Sequence, residues 1–108
     1  GNAVMNDTNY FNQMVSTSQN LNQSYGYLWW LNGKNSVIYP GVTIPISGSL
    51  APNAPSDLVA AMGKNGQFVG VVPSKNLVYV RFGEAPNDDL VPLLFHDQMW
   101  QKLKEVIN

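Results

Sequence analysis

Residues 58–83 read LVAAMGKNGQFVGVVPSKNLVYVRFG. A glycine-rich entry leads into a strand, a tight turn and a second strand. Residues 58–63 extend as far as Gly66. Gln67–Val72 and Leu77–Phe82 then become antiparallel partners around Pro73-Ser74-Lys75-Asn76. Asn76 suits the left-handed conformation that such a turn often needs, since a short amide side chain tolerates it. Gly83 to Asn87 break the second strand.

Downstream, Asp88 or Asp89 is positioned to cap a last helix, with Pro92 tolerated in its first turn. Leu90, Leu93, Leu94, Met99, Leu103, Val106 and Ile107 give that helix a broad apolar stripe. Lys102 and Lys104 lie near its C-terminal end, where cations are favoured. Upstream, prolines 40, 45, 52 and 55 and glycines 33, 41 and 48 forbid a long helix in residues 33–57. Short extended pieces fit at Val37–Tyr39 and Val42–Ile46. A loop this long is usually functional or an excursion over a surface.

Residues 25–32, YGYLWWLN, read as a strand ended by Asn32-Gly33. Alternation puts Tyr25, Tyr27, Trp29 and Leu31 on one face and Leu28 and Trp30 on the other, so the strand should be covered on both sides. Residues 7–15 read as a short helix capped by Asp7 or Thr8, with Tyr10, Phe11, Met14 and Val15 on one stripe. The order predicts an α+β fold: an antiparallel sheet of about three strands with N- and C-terminal helices packed on it.

A length of 108 residues suits one domain, 1–108. Hydrophobic residues make up 44% and charged residues 12%, against about a quarter charged in a typical soluble domain. Such a surface is covered by Asn, Gln, Ser and Gly, or by something outside the chain. A net charge of −1 with no basic run argues against nucleic acid. No apolar run is long enough to span a bilayer, and no signal peptide is expected from the opening residues. With no cysteine and a single histidine, neither a disulfide nor a metal cluster is expected. The sequons at Asn6 and Asn22 matter only in a glycosylating host.

Three segments together resemble the serine β-lactamase and penicillin-binding-protein-like hydrolases, in the branch near class C β-lactamases and esterases. They are Tyr25-Gly26-Tyr27-Leu28-Trp29-Trp30, Gly63-Lys64-Asn65-Gly66-Gln67, and the hairpin from Val72-Pro73-Ser74 through Arg81. The resemblance implies a C-terminal part of a larger hydrolase that acts through an acyl-serine, without a cofactor and in an extracytoplasmic location. No serine of this chain has lysine three residues later, so the Ser-x-x-Lys nucleophile motif is absent and no catalytic residue is expected here. The literal matches Tyr10-Phe11-Asn12, Ser18-Gln19-Asn20 and Ser74-Lys75-Asn76 to the second motif are read as chance.

The resemblance places the third motif at Ala61-Met62-Gly63, with the Lys64 main-chain N–H as one oxyanion donor. The other register is Lys64-Asn65-Gly66, which brings in Gln67. Gly63 and Gly66 can equally be turn glycines, and Lys64 a solvated side chain. Trp29 and Trp30 read as core, His96 as a solvated or capping residue, and Asp88-Asp89 as a cap. Arg81 either pairs with Glu84 or faces the cleft. The expected partners are the missing N-terminal part of the hydrolase or a second copy at the sheet edge. A binding or assembly module with an exposed edge is the alternative.

Overall fold

A computed structural model describes residues 1–107. The elements are α1 (Thr8–Met14), β1 (Trp30–Leu31), β2 (Ser36–Val37), β3 (Ile46–Ser47), β4 (Val59–Met62), β5 (Phe68–Val72), β6 (Leu77–Arg81) and α2 (Leu93–Leu103). β1, β4, β5 and β6 form one antiparallel sheet in that order, and β2 pairs with β3 in a second. The fold is α+β, with one more strand in the main sheet than the sequence suggests and a small ribbon beside it. Among the described residues no helix is long and apolar enough to cross a membrane.

The hairpin is antiparallel as expected, with Gly70 opposite Tyr79 and Val72 opposite Leu77. Asn76 takes φ 48°, and its N–H donates to Pro73 O at 3.0 Å. Asp57 fastens the turn from outside, accepting from Ser74 N at 2.6 Å and Ser74 Oγ at 2.8 Å. Ser74 is thus a turn residue. At the other end of the chain, Asp7 caps α1 by accepting from Tyr10 N at 2.8 Å.

Strand alternation sorts the sheet into two faces. Ala60, Met62, Phe68, Gly70, Val72 and Tyr79 share one face, and α2 lies over it. The buried side of α2 is Leu93, His96 and Trp100, spaced so that all three point to the sheet. Phe68 meets His96 edge-on at 5.0 Å, and Tyr79 meets Trp100 edge-on at 5.4 Å. Val37 and Leu50 from the long loop complete this core. Each large apolar side chain enclosed here contributes about 1.5–3 kcal/mol.

Gly70 is what allows Tyr79 its position. A Cβ at residue 70 would stand 2.1 Å from the Tyr79 ring. The ring therefore lies flat across the glycine and reaches α2. Gly70→Ala is expected to destabilise the fold by about 1–3 kcal/mol in urea unfolding, since the ring must leave its place. Unchanged stability would show that the ring does not depend on this gap.

Three expectations are corrected. Residues 25–32 are not one strand: only Trp30–Leu31 is, and Tyr25 bridges back to Trp30. The chain reverses at Leu28, where φ is 66°, and Gly26 N donates to Trp29 O at 2.8 Å. Gly26 sits so close to α1 that a Cβ would meet Met14 O at 2.3 Å. Docking of this tight turn against the end of α1 overrides the aromatic strand pattern, and Leu28 is left 80% exposed rather than covered. Trp29 and Trp30 are both half-buried.

The second correction is at α2, whose N-cap is Pro92 rather than Asp88 or Asp89. Asn87 Oδ1 accepts from Asp89 N at 3.0 Å and holds that segment in a turn. Its apolar stripe is also narrower than the leucines suggest, because Leu90, Leu94 and Val106 face outward. The third correction concerns His96, which is fully buried rather than solvated or capping.

On the opposite face, α1 covers only the β1 end of the sheet. Phe11, Met14 and Val15 line a cavity of about 310 Å³ with Leu31, Val59 and Val71. The β6 end of that face is bare, with Val78 62%, Val80 54% and the following Phe82 77% exposed.

Candidate active-site wall

The residues from Ala61 to Gln67 close the β4–β5 hairpin. Ala61 and Met62 end β4, opposite Val69 and Phe68. Gly63 N donates to Gln67 O at 2.8 Å, and Lys64–Gly66 make the tight turn between them. Asn65 and Gly66 have φ of 61° and 77°, the conformation for which Asn-Gly is the preferred pair. Gly66 is thus a turn glycine by necessity. Gly63 is extended, with a φ that any residue adopts.

The turn is braced from outside. Gln67 Nε2 donates to Gly83 O at 2.6 Å and to Asn65 O at 3.1 Å, while its Oε1 accepts from Gly83 N at 3.1 Å. Arg81 Nη1 donates to Gly66 O at 2.7 Å and Nη2 to Glu84 O at 3.0 Å. Its guanidinium stands 5.0 Å from the centre of the Phe95 ring, a cation–π contact. Arg81 therefore meets the main chain of Glu84, not its carboxylate, and serves as a clamp on the turn.

What stays open is the outer edge of β4. β1 pairs only with Val59 and Ala60. Asn32 N donates to Leu58 O on that side, and Gly63 N to Gln67 O on the other. Strand alternation then directs the main-chain groups of Met62 outward, past the last residue that β1 reaches. One step on, Lys64 opens the turn, and its N–H makes no main-chain hydrogen bond among the described residues. Its side chain is exposed. Extended substrate backbone can pair with an edge of this kind, and an N–H held at its end can donate to a developing oxyanion.

The one histidine does not join this wall. His96 Nε2 shares a hydrogen bond with the Tyr79 hydroxyl, under α2. Burial pushes the His96 pKa down to about 4, against the opposing charge of Asp97. Burial likewise pushes Tyr79 up to about 12, with the Trp100 indole acting the other way without reaching hydrogen-bond geometry. Asp97 turns instead to the long loop, accepting from Asn53 N and Nδ2, each at 2.8 Å. A Ser-His-Asp relay is therefore not assembled around His96. The pairing of Tyr79 with His96 escapes a reading of the sequence, although the spacing of Leu93, His96, Trp100 and Leu103 already marks one side of a helix.

No protein-family model, curated protein or solved structure matches this chain.

Proposed function

We propose that this chain forms one wall of the cleft of a β-lactamase-like serine hydrolase, which transfers an acyl group from an amide or ester through an acyl-serine. In this reading β4 lays its open edge along the substrate, and the Lys64 N–H donates to the oxyanion. The serine and its lysine come from a segment outside these residues. The 108-residue chain by itself is inactive, because covalent catalysis needs the nucleophile.

The observation that carries this reading is the open outer edge of β4 that runs to Lys64, and the bare apolar end of the sheet at Val78, Val80 and Phe82 leaves a surface for a partner to cover. Contiguous apolar surface of this kind is normally covered by a partner. The braced turn and the open β4 edge agree with a wall built to meet something else. A second reading, an assembly module, draws on β6. This edge strand carries no proline or lysine among Leu77–Arg81, and edges without such protection recruit further strands.

Two measurements test the proposal. Intact-mass analysis after exposure to a fluorophosphonate or a penicillin should find no adduct on the purified chain. The encoding gene, read upstream of Gly1, should contain Ser-x-x-Lys in frame. An adduct on the chain overturns the inactivity, and a reading frame that opens close to Gly1 overturns the hydrolase reading in favour of the assembly module.

A further inference from the structure

The long loop and the start of α2 enclose a second, unrelated cleft of about 500 Å³. Its walls are apolar: Tyr39, Leu50 and Pro52 on the loop side, Val91, Leu93 and Leu94 on the other. Volumes from about 300 to 1,000 Å³ are those of small-molecule sites. The loop wall is held firmly. Buried Asn32 donates to Ala51 O at 2.9 Å and Pro55 O at 3.0 Å, and accepts from Ala51 N at 2.9 Å.

The charged groups in the cleft are of one sign. Asp97 and Asp89 line it together with the Tyr39 hydroxyl, and no lysine or arginine does. The Asp97 carboxylate is oriented by its two bonds from Asn53. Lys104 is engaged on Asn53 Oδ1 at 2.6 Å. Burial raises the Tyr39 pKa and the Asp97 charge adds to it, so the hydroxyl remains protonated beside the carboxylate.

We infer that this cleft binds a small primary ammonium ion with an apolar tail, the head on Asp97 and Asp89 and the tail between Leu50, Pro52 and Leu94. Both halves are needed. Apolar walls alone accept a neutral alcohol equally well, and carboxylates alone hold a cation only weakly in water. A fixed carboxylate over an apolar floor selects a ligand that carries both features. The site is independent of the β4 edge and of the hydrolase proposal.

The test is a titration of the chain with hexylammonium chloride near pH 7, followed by backbone amide shifts, with hexanol and hexanoate in parallel. Hexylammonium should give saturable shifts confined to residues 39–40, 50–53 and 89–97. It should bind about fivefold more tightly than hexanol, a preference that shrinks with added salt, and hexanoate should give none. Asp97→Asn keeps an oxygen for the Asn53 N–H and should abolish the preference. If that variant fails to fold, Asp89→Asn, at an exposed position, should reduce it. Equal binding of hexanol, shifts elsewhere, or a preference that survives in the folded variants would overturn the inference.

Discussion

Replacing Trp100 with alanine should remove about 3–5 kcal/mol of stability, the range for deleting a buried aromatic side chain. Trp100 is fully buried at the centre of the contact between α2 and the sheet. Its ring meets Tyr79 edge-on at 5.4 Å. Small domains hold about 5–15 kcal/mol in total, so the loss would consume much of the reserve. Since α2 also walls the second cleft through Leu93 and Leu94, the cleft should loosen as well. Urea denaturation followed by circular dichroism measures the effect. A loss below about 1 kcal/mol would mean that α2 is held by something other than this contact.

The second large effect is acid sensitivity. His96 is fully buried, its Nδ1 has no partner, and Tyr79 is the one hydrogen-bonding group at its Nε2. Protonation would bury a cation with an unanswered N–H. The folded pKa near 4 lies below the ordinary 6.5, so the unfolded chain takes up the proton first. Stability from this group is complete above about pH 6.5 and falls as the pH drops to about 4, by about 3 kcal/mol. Tyr79 works at the other extreme. Its pKa of about 12 lies above the ordinary 10.0, so its contribution is full below pH 10 and is lost as the pH rises towards 12.

A double variant, Tyr79→Phe with His96→Leu, separates this pair from the surface carboxylates. Removing both partners of the pair orphans neither of them and adds no polar group to the unpartnered Trp100 indole, so stability at pH 7 should change little. The steep decline between pH 6.5 and 4 should flatten. Urea midpoints across that range, compared with the parent chain, read the difference directly. Parallel pH profiles for the two proteins would show that His96 does not drive acid unfolding.

How far the sequence could be read follows the range of the interactions involved. Asp7 reaches a backbone N–H three residues away, and Asn76 needs only its own left-handed conformation. Both are local chemistry, and both were legible. The aromatic run at residues 25–32 was not, because its reversal at Leu28 depends on how Gly26 docks against the end of α1. In the candidate wall, the sequence left Gly63 and Gly66 open between turn glycines and a motif strand, and only the backbone, left-handed at Gly66 and extended at Gly63, separates the two. The roles of Arg81 and Gln67 as braces of the turn depend on bonds to residues 66 and 83, which no spacing rule announces.

From the chain alone one can obtain the hairpin of β5 and β6, the presence of a closing helix and the lack of a Ser-x-x-Lys pair. Each rests on neighbours in sequence or on plain composition. The burial of His96 beneath Tyr79, the anchoring of the long loop by Asn32 and Asn53, and the placing of Tyr39 and Asp97 in one cleft belong to the assembled molecule. Each joins groups distant along the chain. A polar side chain reads as solvent-facing until its partner is brought to it, and here that partner arrives only when the sheet and α2 close together.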